Sequence, residues 1–424
     1  MKREDNITNK IDWLAVLLYG VIVFLGWLNI YAVTYDESAD TSIFSLQLNS
    51  GRQLIFIGGS LVIILVILVL DRQFYETFGY IIYGLMMLIL LVVPLIGKEV
   101  GGNKAWLGIG SFGVQPSEFA KFATALAVAK TIGSIGFKMD NLKNQFILFC
   151  LIGAPMLLIL LQKDTGTALV FSVFLLVFFR EGMSPFILII GIACAVIFVL
   201  TLLVENQYYL YLGVAVILAL AILRGKKKFK RIAMLTVGAL TIVMVIGSVD
   251  YIVTDVLKPH QQNRIKALIN PDADPLGFGW NVTQSKIAIG SGGFAGKGFL
   301  EGTQTKFDFV PEQSTDFIFC TIGEEHGWIG SLFTIALFIT LLLRIIFLAE
   351  RQKNKFARVY GYSVACILFF HFAVNIGMTI GLFPVIGIPL PFFSYGGSSL
   401  WGFTILLFIF LKLDAHRGQV LQRL

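Results

Sequence analysis

Apolar runs long enough to cross a bilayer recur along almost the whole chain. Each must be helical, because hydrocarbon offers a backbone amide or carbonyl no partner outside its own segment. The runs predict spans at 12–33, 52–70, 75–97, 115–133, 144–162, 166–180, 184–204, 207–224, 232–252, 315–343, 357–381 and 396–412. This is the pattern of an all-α polytopic membrane protein with about 12 transmembrane helices. The first run begins near Trp13 without a small-residue cleavage signature, so it reads as a retained span rather than a signal peptide.

One stretch breaks the pattern. Residues 253–314 are polar and rich in Gly and Pro, and they divide N-terminal helices (1–252) from C-terminal helices (315–424) of a single membrane domain. A loop of that length between packed helices is usually functional or disordered. Its aromatic residues Phe278, Trp280, Phe294 and Phe299 argue against disorder, and the segment is expected to fold back onto the outer mouth of the bundle.

Composition agrees with a lipid solvent: 57% of the 424 residues are hydrophobic, 14% are charged, and the mean hydropathy is +0.82. The net charge of +7 does not point to nucleic acid, because the cations sit in short loops between spans. With both termini cytoplasmic, the inner loops collect Arg72, Lys138, Lys143, Arg180, the run from Arg224 to Arg231 and the group from Arg344 to Arg358. The short outer loops keep only Arg52, Lys98, Lys104 and Lys163, which is the asymmetry of the positive-inside rule. Four cysteines without CxxC spacing and four histidines without HExxH make no case for a disulfide or a histidine-built metal site.

Candidate chemistry lies in the outer segments. Asp274, in Asn-Pro-Asp-Ala-Asp-Pro-Leu-Gly-Phe-Gly, precedes a proline and is followed by glycines that permit close approach to a substrate. Locally it reads either as a carboxylate held in a fixed pose or as an exposed Asp-Pro turn. The stretch from Gln284 and Ser285 to Gly298 fails the Walker pattern, with Ser291 at the first glycine position and Gly298 after the lysine. Its glycine amides, with Lys286 and Lys297, read as a pyrophosphate cradle or as a flexible turn.

Ionisable groups at span ends are the second class. Glu118 and Lys121 share a helix face and can pair, or Lys121 can bind phosphate. Asp164 caps a helix or serves the site, and Asp316, after Ser314 and Thr315, is expected to cap the tenth span. The break Pro-Leu-Pro-Phe-Phe-Ser-Tyr-Gly-Gly, with Ser394 and Tyr395, is expected to wall the same external site.

These residues closely resemble the SEDS family (shape, elongation, division and sporulation) of polytopic peptidoglycan glycosyltransferases, and its elongation branch in particular. The motifs are QPSEFAKFATAL from Gln115, DTGTALV from Asp164, DPLGFGWN from Asp274, QSKIAIGSGG from Gln284, GKGFLEGTQ ending at Gln304, FVPEQSTDFIF containing Glu312 and Asp316, GEEHGWIG from Gly323 and PLPFFSYGGSS from Pro389. The resemblance implies that Asp274 is catalytic, and that Glu118, Lys121 and Asp164 match family positions in the membrane.

It implies polymerisation of lipid II into β-1,4 glycan strands during elongation and cell-shape maintenance, releasing undecaprenyl pyrophosphate at the periplasmic face of the bacterial inner membrane. A class B penicillin-binding protein is the implied partner, beside membrane lipids. A divalent cation (Mg or Mn) is compatible with this chemistry, but the sequence assigns it no ligands. A lipid II transporter (flippase) and a non-catalytic scaffold are the rival functions. The chain departs from the family where Lys104 and Ala105 precede Trp106, where Lys163 and Thr165 flank Asp164, and in an extra helix pair near 207–252, since ten spans are usual.

Overall fold

The computed structural model describes residues 10–35, 42–100, 102–109, 112–204, 206–224, 229–251, 278–307 and 309–418. Asp274 lies outside the described residues, as does neighbouring Asp272.

Every predicted run is helical. In chain order the helices are α1 (Trp13–Thr34), α2 (Asn49–Val69), α3 (Arg72–Ile96), α4 (Pro116–Gly133), α5 (Leu142–Leu161), α6 (Thr165–Val170), α7 (Phe174–Arg180), α8 (Pro185–Leu203), α9 (Tyr208–Leu223) and α10 (Phe229–Tyr251). They continue with α11 (Phe278–Ser291), α12 (Thr303–Lys306), α13 (Ile318–Glu350), α14 (Lys355–Thr379) and α15 (Gly397–Ala415). The run 166–180 is α6 and α7 joined by a 3-10 turn, Phe171–Val173. Among the described residues, seven helices, α1, α2, α3, α5, α13, α14 and α15, are long and apolar enough to cross a membrane.

Helix starts follow local chemistry. Asp12 caps α1 by accepting from Ala15 N at 3.0 Å, and Asn141 and Asn354 cap α5 and α14. Proline opens α4 and α8, where its missing N–H costs nothing. The N-cap of α13 is Phe317, which gives no side-chain cap, one residue beyond the Ser-Thr-Asp signal that was expected to cap the span.

Two features went unread in the sequence. The strands β1 (Lys98–Val100), β2 (Asn103–Ile109) and β3 (Phe112–Val114) form an antiparallel sheet, in that order, with Lys98 opposite Trp106. Helix α11 lies inside the stretch expected to be loop. The backbone of α13 is also broken at Gly327 (φ 62°, ψ −154°), a conformation that suits glycine.

The chain forms two units. The first comprises Met1–Met183 with Asn281–Leu424, and the second Ser184–Trp280. In the second, α10 packs against α8 and α9. In the first, α4 is the central helix and packs against α3, α5, α14 and α15. Its buried face carries Ala120, Ala123, Ala127 and Ala129, small residues that let neighbouring backbones come close.

Ion pairs gather at one end of this first unit. Arg344 binds Asp12 at 2.6 Å, Arg351 binds Asp414 at 2.5 Å, Arg358 binds Glu181 at 2.9 Å and Arg180 binds Glu350 at 2.8 Å. They join the starts of α1 and α14 to the ends of α7, α13 and α15, so the entry to the first helix and the exit from the last share one end.

Candidate active site at the opposite end of the first unit

At the other end of the first unit, the starts of α4, α6 and α15 converge. Asp164 accepts from Thr167 N (3.0 Å), Thr167 Oγ1 (2.8 Å) and Gln115 Nε2 (2.8 Å). It therefore caps α6, the structural alternative read for it, and also ties α6 to the residue preceding α4. Gln115 N donates to Ser398 Oγ at 3.0 Å, which brings α15 to the same point.

One turn into α4, the pair expected from three-residue spacing is present: Lys121 Nζ lies 2.7 Å from Glu118 Oε2, and both side chains are buried. Sequence reading missed the third member, His371 on α14, whose Nε2 lies 3.1 Å from the same ammonium. His371 Nδ1 donates to Pro389 O at 3.1 Å, which leaves Nε2 as an acceptor for the lysine. The ring of Phe403 closes the remaining side, 4.3 Å from Nζ. Lys121 is thus enclosed by protein groups and has no exposed surface. Nothing near it in sequence signals His371, since one histidine in an apolar run carries no spacing.

The glycine-rich stretch after α11 packs onto the start of α13. Gly296 N donates to Gly292 O, Lys297 N to Glu324 O and Gly298 N to Glu325 O, at 2.8 to 3.0 Å. A Cβ at Gly292 would stand 2.0 Å from Gly323 O, and one at Gly296 would stand 2.1 Å from Glu325 O. These three amides are committed to carbonyls and do not form the pyrophosphate cradle that was one of the two readings of the stretch, and glycine is required for close backbone approach.

Lys297 is committed as well, 2.6 Å from Glu324 Oε1. Glu324 also accepts from Thr303 N, Gln304 N and Thr305 N at the start of α12 (2.8 to 2.9 Å), so Gln304 contributes its backbone there. Glu325 is buried, and among the described residues its Oε2 and the neighbouring His326 Nδ1 have no hydrogen-bond partner. Neither glutamate was singled out from sequence, although both lie in a motif that was.

The remaining predicted residues are distributed around this end. Ser285 is buried and donates to Thr379 O at 2.9 Å, and Gln284 is buried beside it. Lys286, one position on, is exposed. Ser394 Oγ donates to Thr315 O at 2.5 Å and Tyr395 N to Ser314 O at 2.9 Å, docking the proline-rich break onto the turn before α13. Asp316 belongs to that turn, where its carbonyl accepts from Asn375 Nδ2 at 2.8 Å.

Glu312 has a positive φ of 56°, and its carbonyl accepts from Thr315 N and Phe317 N. It lines a cleft of about 660 Å3 that includes Tyr35, Asn49, Lys306 and Phe307. Tyr395 packs near Phe56 with ring centroids 6.1 Å apart. Lys104 and Trp106 stand apart from the buried pair on β2, with Lys104 Nζ 3.4 Å from Leu95 O and the Trp106 ring against Gly113.

Among the described residues, no three His, Cys, Asp or Glu side chains come together in a way that could hold a metal ion. The carboxylates of Glu118, Asp164 and Glu324 are taken up by protein donors. The described residues therefore do not fit a divalent cation.

Fold and site define a class: a multi-pass, predominantly helical membrane protein with broken helices and buried charge at one end. The family model for FtsW, RodA and SpoVE, described as cell cycle protein, matches residues 12–215 and 207–419. The chain belongs to this family. The chain is 32% identical to the peptidoglycan glycosyltransferase RodA of Treponema pallidum (strain Nichols), over 96% of this chain and 98% of the relative. To the peptidoglycan glycosyltransferase MrdB of Escherichia coli (strain K12) it is 33% identical, over 97% and 98%. A solved peptidoglycan synthase complex, described as coordinating polymerization and crosslinking, contains a chain with TM-score 0.71 and 27% identity, covering 96% of this chain and 99% of that one.

Proposed function

We propose that this chain polymerises lipid II into β-1,4 glycan strands during cell elongation, with Asp274 as catalytic base. The observation that carries the reading is relation over nearly the whole length to peptidoglycan glycosyltransferases RodA and MrdB, together with the DPLGFGWN motif. The enzyme is a hexosyltransferase that uses a prenyl-pyrophosphate-linked donor.

In the reaction, a hydroxyl of the acceptor sugar attacks the anomeric carbon of the donor. The new C–O bond forms as the bond to pyrophosphate breaks with inversion, the electron pair leaves on the pyrophosphate oxygen, and the hydroxyl proton passes to the Asp274 carboxylate. A positioned base of this kind contributes about 10²–10⁴-fold in rate. Cations stabilise the leaving pyrophosphate. Lys286 and Lys104 reach solvent and serve this role, whereas Lys121 with Glu118 and His371 holds α4 against α14. Asp164, Gln284, Ser285, Gln304, Glu312, Asp316, Ser394, Tyr395 and Trp106 support the surrounding walls.

Both termini are cytoplasmic and the site is periplasmic. The ion-paired end of the first unit, with Arg180, Arg344, Arg351 and Arg358, supports this orientation under the positive-inside rule. A class B penicillin-binding protein is the partner, a reading supported by likeness to a chain of a synthase complex.

Purified protein in detergent with the cognate transpeptidase and labelled lipid II tests the proposal, because a transporter has no compartments to act between there. Wild type is expected to make glycan polymer and Asp274→Asn none. Absence of polymer from wild type, or undiminished polymer from the variant, contradicts it.

A further inference from the structure

Beside α11 runs an apolar groove of about 340 Å3, walled by Ile289 and Gly290, by Trp328 and Leu332 of α13, and by Ile376 and Ile380 at the end of α14. Its volume is at the small end of the range for ligand sites. Gly290 is where the wall is lowest, since a Cβ there meets nothing within 4 Å. Trp328 stacks on Phe294 with centroids 5.5 Å apart and planes 13° apart, and both rings are exposed. Exposed tryptophan of this kind is enriched at the membrane–water interface, the depth of lipid headgroups.

A cation stands at one end. Lys286 lies three and four residues before Ile289 and Gly290, hence on the same helix face. Its Cδ and Nζ lie 3.5 and 3.7 Å from where a Cβ on Gly381 would be, next to the groove residue Ile380. The side chain is exposed, and among the described residues its ammonium has no hydrogen-bond or ion-pair partner. An interfacial apolar trough ending in an exposed cation complements an apolar chain whose head carries negative phosphate.

We infer that this groove holds the first part of the prenyl chain of a polyprenyl pyrophosphate lipid, with the Lys286 ammonium on its pyrophosphate. The inference rests on the glycosyltransferase reading, which requires such a lipid as substrate and as released carrier, and it assigns that lipid a groove between α11, α13 and the end of α14.

The test uses full-length protein and a polyprenyl pyrophosphate bearing a photoreactive group near its head. Crosslinks are expected in peptides containing residues 286–293 and 328–335. Unlabelled polyprenyl pyrophosphate should compete, and phosphatidylglycerol should not. Gly290→Phe, which fills the trough from a position with open space, is expected to abolish this labelling. Lys286→Gln should weaken it about tenfold, equivalent to about 1.4 kcal/mol, and Lys286→Arg should restore it.

Lipid II titrations of Gly290→Phe are expected to show a raised KM with kcat largely kept, the mark of lost ground-state binding, whereas Lys286→Gln lowers kcat as well because its ammonium also meets the leaving pyrophosphate. Thermal melting confirms that each variant is folded. Labelling elsewhere, equal competition by phosphatidylglycerol, or unchanged labelling in Gly290→Phe overturns the inference. Wild-type polymer in the presence of any of these leaves the catalytic reading standing. Groove labelling without polymer separates the two in the opposite direction.

Discussion

A lysine with no exposed surface is costly in hydrocarbon unless its charge is met, and Lys121 meets Glu118, His371 and the Phe403 ring. Removing one member of a buried pair costs about 3–5 kcal/mol, because the other charge is stranded. Glu118→Gln is therefore expected to lower the melting temperature in detergent sharply, and Glu118→Gln with Lys121→Met should recover most of the loss. Equal melting of the single and double variants would remove the ion-pair account.

Asp12, outside the membrane spans, makes a pH prediction. Burial is the largest influence and pushes its pKa up, but the Arg344 hydrogen bond, the Ala15 amide and the charges of Arg344 and Arg351 together hold it below the ordinary aspartate value. A depressed carboxyl stabilises the fold above its unfolded pKa, and that stability is lost as pH falls through the folded value. Melting temperature should fall on acidification below about pH 4, with a shallower fall in Asp12→Asn.

At this scale local spacing was legible and long-range partnership was not. Glu118 with Lys121, and Asp164 with Thr167, are three residues apart. His371 reaches Lys121 only through the packing of α14 on α4.

At the scale of elements, hydropathy located every long helix, because a span must bury its own backbone whatever its neighbours are. It could not locate the sheet of β1, β2 and β3 or α11, whose glycines and polar residues lack a strong period and which depend on tertiary support. The stretch from Gln284 to Gly298 reads in sequence as a pyrophosphate cradle or a flexible turn, because successive amides look free there. The carbonyls of Glu324 and Glu325 that capture them lie beyond α12.

The consequence is a contrast between two glycines. Gly292→Ala must displace Gly323 O and is expected to destabilise by about 1–3 kcal/mol, with activity falling alongside. Gly290→Ala should be neutral or stabilising by about 0.5–1 kcal/mol. Melting curves and polymerisation rates check both, and equal effects would show that close packing is not why glycine occupies position 292.

For the whole molecule, charge asymmetry leads to the expectation that both termini are cytoplasmic, and the pairs Arg344–Asp12 and Arg351–Asp414 join α1, α13 and α15 at one end of the first unit. In a cysteine-free background, a single cysteine at Lys163 should react with a membrane-impermeant maleimide in intact spheroplasts, and one at Arg417 only after lysis. The reverse pattern would invert the orientation and remove the external site.

The measurement that bears most directly on the central claim is the initial rate of lipid II polymerisation by wild type, Asp272→Asn and Asp274→Asn, with the cognate transpeptidase at saturation. If one carboxylate takes the proton, Asp274→Asn falls by about 10²–10⁴-fold while Asp272→Asn stays close to wild type. Polymerisation by Asp274→Asn at a rate near that of wild type would contradict the account.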